Sequence, residues 1–343
     1  MALVEAFTLL LSCHFLLARL SNGELLEMNE VTVGGTFRRS SSLEQHIQTW
    51  RHIQASVKRQ AYLNSHSMDF QLPAKYGLNQ FSHLSPGQFR DIYLQAWPEI
   101  APKYNMTNHD RPRSEHYLPR FDWREHGAVG PVQNQQSCGG CWAFSVVAAI
   151  EAVRVKDGGM LQDLSVQQVI DCDYKSQGCN GGSTISALEW LKQTKEKVVN
   201  ETDYPYKAET GLCRVFPQLY GGVSVKDYTA FDFSGQEKLM KERLVDWGPL
   251  VVIVDATSWQ DYLGGVIQHH CSSRHANHAV LIVGYDTTGT HSHTAHMLVS
   301  PVKCCRGFKT KHLWFKCSID VYLGLYNKSS PNSFLHGLIC SAA

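Results

Sequence analysis

The sequence predicts an α+β fold with two lobes, and three observations carry that expectation. Helical patterns occupy the chain as far as Trp247, and short β-branched runs come after them, at Leu250 to Asp255 (LVVIVD) and Ala279 to Tyr285 (AVLIVGY). Helices that segregate from strands in this way build α+β folds. The 343 residues, 43% of them hydrophobic, suffice for a sizeable core.

The first helix is expected between Leu43 and Tyr62. There Leu43, Ile47, Trp50, Ile53, Val57 and Ala61 recur at steps of three and four to form an apolar face, with Arg51, Lys58 and Arg59 on the polar one. A segment from Tyr76 to Leu84 follows, and then a polar, proline-bearing stretch from Ala101 to Pro119 that reads as a linker. A boundary is placed near residue 118. Cys141 to Val155 is small or apolar on every face and stops at Gly158-Gly159, the pattern of a buried central helix. Ser165-x-x-Gln168 and Ser234-x-x-Glu237 read as capping boxes opening two further helices, the second ending at Gly248-Pro249. The two apolar runs that follow are bounded by Pro and by Asp or Gly, hence strands. The chain carries no internal repeat.

Composition excludes some functions and favours a compartment. Thirty-two basic residues against 31 acidic ones leave no chain-wide basic field to attract nucleic acid or an acidic membrane surface. Eleven cysteines suit an oxidising compartment, and the odd count leaves at least one unpaired. Ala6 to Ala18 (AFTLLLSCHFLLA) has the length of a signal-peptide core, is followed by Ser21-Asn22-Gly23, and is too short to span a membrane. Glu5 and the Ser12-Cys13-His14 interruption depart from the usual pattern, and secretory entry with residues 1–23 as signal remains the expectation. Asn105, Asn200 and Asn327 stand in glycosylation sequons.

Catalysis by a thiol requires a thiolate, yet an ordinary cysteine near 8.5 is only about 0.03% ionised at pH 5. Cys141 stands where the coil of Gln133 to Gly140 becomes the apolar helix, so free N–H groups and the positive end of the helix dipole face its sulfur. An imidazolium partner would supply the rest. Cys138 and Cys141 also have the spacing of a structural, redox or zinc pair; a redox site wants a surrounding βαβ unit and zinc two more nearby ligands, neither of which the sequence offers.

The run from Asn134 to Ser145 (NQQSCGGCWAFS) resembles the nucleophile segment of the papain-like cysteine peptidases, and Asn277-His278-Ala279-Val280, with its histidine 137 residues after Cys141, resembles their base motif. Gly140 replaces the usual Ser or Ala and, being smaller, is not expected to obstruct the site. The resemblance implies Cys141 as nucleophile, His278 as general base and Gln135 as a donor to the oxyanion, in a fold with a helical left lobe and a barrel-like right lobe. It implies that Gly181 and Gly182, in Gly178-Cys179-Asn180-Gly181-Gly182, form a wall along which a substrate backbone adds as a strand. It also implies disulfides Cys138–Cys179 and Cys172–Cys213, with Cys271 lacking an assured partner, and a medium-sized apolar specificity pocket from Ser183, Ile253 and Ala276, with Asn277 beside it. The segments Ser165 to Cys172, Gly248 to Ala256 and Ser258 to Gly265 point to one cathepsin branch within the family.

Upstream, the amphipathic helix and Gly77-x-Asn79-x-Phe81-x-x-Leu84 resemble the family's proregion, which blocks the cleft; His83 replaces the usual Asp. The expected organisation is a signal at 1–23, an inhibitory proregion at 24–117, a peptidase domain at 118–290 and a divergent segment at 291–343. No cofactor is expected. Partners would be protein or peptide substrates, the chain's own proregion and cystatin-like inhibitors, acting on a monomer in the lysosome or outside the cell.

The family's Asn-Ser-Trp-Gly segment, whose asparagine orients the imidazole and whose tryptophan shields that contact, is absent. The first asparagine after His278 is Asn327. From His291 the chain instead offers His291, His293, His296, Cys304-Cys305 and Cys317, with no familiar ligand spacing and no strand pattern like the family's. Two functions therefore stay open: a cysteine endopeptidase, or a catalytically impaired, protease-derived binding or inhibitory protein.

Overall fold

The computed structural model describes residues 41–65, 74–104, 118–214, 216–217, 221–233, 236–267, 276–286, 296–300, 313–315 and 321–324. The chain divides into two compact units, Met1–Gln45 and His46–Ala343. Ala6 to Ala18, Asn105, Asn327, Cys271, His291, His293, Cys304, Cys305 and Cys317 lie outside the described residues.

Helix α1 spans Ser41–Ser65. The expected apolar face is not the one that docks: Trp50 and Val57 are about half exposed (49% and 48%), whereas Ser56 and Gln60 are buried. The reason is a buried carboxylate elsewhere in the chain. Asp261, fully buried, accepts from Ser56 Oγ at 2.6 Å, Arg59 Nε at 2.5 Å and Gln60 Nε2 at 3.3 Å. Leaving that carboxylate without its cation would cost on the order of 3–5 kcal/mol. Strand β1 (Lys75–Tyr76) then pairs with β7 (Tyr262–Gly264), immediately after Asp261. Helix α2 (Pro86–Tyr93), absent from the sequence reading, opens on a complete capping box between Ser85 and Gln88.

Strand β2 (Arg120–Asp122) leads to α3 (Cys141–Lys156), a largely buried helix as expected, and to the wholly buried α4 (Val166–Cys172). Ser165 caps α4 by accepting from Gln168 N, but the reciprocal half of the expected box is not made. The Gln168 side chain instead serves Lys197 O and Val199 N, and Ser165 N donates to Val199 O, so a β-like contact replaces it. Next come α5 (Thr184–Thr194), β3 (Lys197–Val198), β4 (Val223–Ser224), β5 (Thr229–Phe231) and α6 (Glu237–Trp247). Gln236 is the N-cap of α6, and Gly248, at φ +110°, closes it where an L side chain would be strained.

The remaining strands are β6 (Leu250–Val254), β8 (Val266–Ile267), β9 (His278–Asp286), β10 (His296–Ser300), β11 (Leu313–Phe315) and β12 (Val321–Gly324). They form one sheet in the order β5-β12-β6-β9-β10-β11-β8, with β2 also on β9. β6 and β9 run antiparallel from Leu250↔Ile282 to Val254↔His278. Their side chains alternate between two cores. Val251, Leu281 and Val283 join the cluster around α3 with Trp142, Val146 and Ile150, while Val252, Val280 and Ile282 join Trp123, Leu244 and Trp247 on the other face. Burial on both faces explains why these strands read as unbroken apolar runs. The sheet continues past the histidine strand, contrary to the absence of strands expected after residue 291: β10 pairs with β9 through Leu298↔Gly284 and Val299↔Ile282. A buried strand with an open edge would leave N–H and C=O groups unpaired, and β10 satisfies them. Among the described residues no helix is long and apolar enough to cross a membrane.

Candidate active site

Cys141 is the first residue of α3 and is fully buried, with Gly140 as the N-cap. The apolar run that follows nucleates the helix against the core, so the cysteine is fixed at the helix end where amide N–H groups lack intrahelical partners. The bend before it is tight. Gly139 N donates to Cys179 O at 2.8 Å, and a Cβ at Gly140 would come within 2.9 Å of Ile170 Cδ1 and 3.3 Å of Cys138 Sγ. Glycine at 140 is thus matched to Ile170, not merely tolerated.

Disulfides join Cys138 to Cys179 and Cys172 to Cys213, and Cys141 is a free, buried thiol. The first bond ties the nucleophile loop to the Gly178–Ser183 wall. Trp142 reinforces it by donating from Nε1 to Gly178 O at 3.2 Å. A Cβ at Gly182 would lie 2.5 Å from the Trp142 ring, so this close approach requires glycine.

A peptide segment of the chain itself lies along this wall. Trp97 N donates to Gly182 O at 2.9 Å and Gly182 N donates to Gln95 O at 3.1 Å, in a parallel bridge centred on Ala96. On the opposite side Ala96 N donates to Asn277 O at 3.0 Å. Ala96 packs with Cys141, Ile253 and Ala279, and Ala276 closes the same cluster. Gly181, at φ +113°, leaves no room for a side chain, since a Cβ would stand 2.6 Å from Gln95 O. Ser183 Oγ donates to Glu99, whose carboxyl is raised by burial and then by the charge of Asp173.

Gln135 is fully buried, and its Nε2 donates to Cys138 O at 2.7 Å and to Tyr93 O at 3.1 Å. The amide expected to serve an oxyanion therefore holds a carbonyl oxygen of the same bound segment. Tyr206 donates to Gln135 O at 2.6 Å and fixes its main chain.

His278 begins β9, fully buried, one residue before the Ala279 that touches the Cys141 cluster. Trp259 stands edge-on to its ring with centroids 5.6 Å apart. Asn277 works through both chain and side chain: N donates to Val254 O, Oδ1 accepts from Ala256 N at 3.0 Å, and Nδ2 donates to Thr257 Oγ1. The structure thus gathers Cys141, Gln135, Gly181, Gly182, Ser183, Ile253, Ala276 and Asn277 around one cleft, with His278 in the strand beside it. Asn200 lies half-buried in a different place, its side-chain oxygen accepting from Gln162. The sequence reading gave no role to Tyr93, Gln95 or Trp97, which act here through the backbone and leave no side-chain pattern, nor to Glu99, a lone carboxyl that meets Ser183. Trp259 was available in the Ser258 to Gly265 segment, but nothing in its spacing points to the imidazole.

Residues 118–299 match the family described as Papain family cysteine protease. Human cathepsin O is 54% identical over 235 residues, covering 68% of this chain and 73% of its own length. Among solved structures, a recombinant stem bromelain precursor superposes with a TM-score of 0.70 at 26% identity, covering 84% of this chain and 94% of its own. Digestive procathepsin L2 from Tenebrio molitor shares the fold, with a TM-score of 0.70 at 24% identity over 82% of this chain and 92% of its own.

Proposed function

The chain belongs to the papain family of cysteine proteases, and from that premise we propose that it is an endopeptidase of lysosomal proteolysis that cuts proteins through an acyl-enzyme on Cys141. The Cys141 thiolate attacks the peptide carbonyl, and the oxyanion accepts from the Gln135 amide and the Cys141 backbone N–H. His278, as imidazolium, gives its proton to the departing amine. Water then adds to the thioester, returning a proton to His278 and freeing the carboxylic acid and the thiolate.

One observation carries this reading: the extended chain of Gln95 to Trp97 is held by Gly182 and Asn277 beside Cys141, with Tyr93 O on the Gln135 amide. A cleft that binds main chain in this manner takes extended peptides largely irrespective of side chain. The same contacts support an inhibitory proregion, read as residues 24–117. In this reading the precursor is a monomer that enters the secretory route through residues 1–23, works in the lysosome or outside the cell and is open to cystatin-like inhibitors. Cys141, His278 and Gln135 are its catalytic groups; Gly181, Gly182, Ser183, Ile253, Ala276 and Asn277 line its substrate site; Asn105 and Asn200 carry its glycans.

The test compares peptide cleavage at acid pH before and after proteolytic removal of residues up to 117. The full chain should be slower by at least about ten-fold, since a tethered occupant competes at an effective concentration in the millimolar range. Equal rates would remove the inhibitory role, and cleavage by neither form would remove the peptidase. A second reading rests on the missing Asn-Ser-Trp-Gly segment: a chain that binds its own proregion or peptides in the cleft but cuts them poorly.

A further inference from the structure

A cavity of about 340 Å³ runs along α3 and shares none of the residues that hold the Gln95–Trp97 segment. Its walls include Ser145, Ala148 and Glu151 of the helix, Leu161 and Asp163 beyond it, and Leu281 of β9. The volume lies at the lower end of the range for small-molecule sites, roughly 300–1,000 Å³.

We infer that this cavity binds a small organic cation, a guanidinium or ammonium head on a short apolar arm, with Glu151 as its counter-ion. Glu151 is only 6% exposed. One carboxyl oxygen accepts from Leu164 N at 2.7 Å, and no described residue hydrogen-bonds the other. No cation pairs with Glu151 among the described residues; the charged groups that face it are Asp163 and Glu201, both acidic. A buried carboxyl in acidic company is unfavourable as an anion until a cation joins it. Ser145 Oγ supplies a second, independent polar group: it is buried and has no hydrogen-bond partner among the described residues. The apolar wall of Ala148, Leu161 and Leu281 accommodates the arm, while Glu151 and Asp163 disfavour anions.

Burial, with Asp163 and Glu201 adding to it, raises the Glu151 carboxyl to about 8, so near neutral pH the unliganded site holds a proton. A bound cation ionises the group and expels that proton. Binding should therefore weaken as pH falls, by about ten-fold per unit below 8.

The probe is n-butylguanidinium, titrated calorimetrically into the full-length chain at pH 7 in two buffers of different ionisation enthalpy. The expected result is saturable binding with release of about one proton, and a neutral analogue of similar size, n-pentanol, binding far more weakly. Glu151→Gln keeps the bond from Leu164 N and should lower affinity roughly ten-fold or more, without proton release. Should that variant fail to fold, Ala148→Phe fills the cavity from a partly buried position, leaves Glu151 in place, and should abolish binding. No binding by the wild-type chain at about 10 mM, equal binding by the wild type and a folded Glu151→Gln or Ala148→Phe variant, or binding without proton release would overturn the inference.

Discussion

The two sides of the cleft are assembled over very different lengths of chain. The nucleophile side is local: Gln135, Cys138, Gly140 and Cys141 fall within seven consecutive residues, and a disulfide fastens them to the Gly178–Ser183 wall. The base side is made of strands gathered from afar. His278 is held by pairing with Val254 and by the Trp259 ring, and the segment with which the family orients its imidazole is missing from the sequence. A local motif survives changes elsewhere in a chain, whereas a group oriented from several distant segments is disturbed by the loss of any one of them.

The largest expected effect is on the base side. Replacing the chain beyond Asp286 with an ending that restores Asn-Ser-Trp-Gly should raise turnover, by up to about 10⁴-fold, the range over which an orienting group matters in a related triad. No gain in peptide turnover would break the comparison, because the present ending would then already hold His278 in place. On the nucleophile side, Gln135→Ala should lower turnover by about 10²–10³-fold, the usual cost of one oxyanion donor. Because Gln135 Nε2 also holds Cys138 O, a thermal melt is needed beside the kinetics; a rate loss matched by unfolding would assign Gln135 to structure instead.

The smallest effect is on stability. Glu151 shares a helix with Cys141, and burial lifts its carboxyl from 4.5 to about 8. Between those values the native state keeps a proton that the unfolded chain has lost. The group's contribution is therefore fully present below about 4.5 and is lost as pH rises towards 8, with a slope of at most about 1.4 kcal/mol per unit. Chemical denaturation from pH 5 to 8 should show this decline in the wild type and a flatter profile in Glu151→Gln. Parallel profiles would remove Glu151 as the cause.

Legibility in the sequence follows the same division. The nucleophile motif, the histidine, the central helix and the strands at Leu250 and Ala279 were readable because each is a contiguous pattern of side chains. The docking face of α1 was not: Ser56, Arg59 and Gln60 turn inward only because Asp261, about 200 residues away, is a buried carboxylate. Helix α2 was readable in principle, from Ser85-Pro86-Gly87-Gln88, which is a capping signal with proline at the first turn. Strand β10 (HMLVS) has an apolar core of only Met297, Leu298 and Val299, against the five of β6, so its pattern does not stand out before β9 supplies a partner. Tyr93, Gln95, Ala96 and Trp97 bind through main-chain groups, which no residue pattern encodes.

The central claim is that Cys141 is the nucleophile of a peptidase. It is tested most directly by treating the chain, after removal of residues up to 117, with a thiol-directed epoxide at acid pH and mapping the adduct by mass spectrometry, alongside peptide turnover by the Cys141→Ala variant. A single adduct on Cys141 that abolishes turnover is expected, with a loss on the order of 10⁴-fold or more in the variant. An adduct on another cysteine with turnover lost, or a Cys141→Ala variant that cleaves as the wild type does, would contradict it.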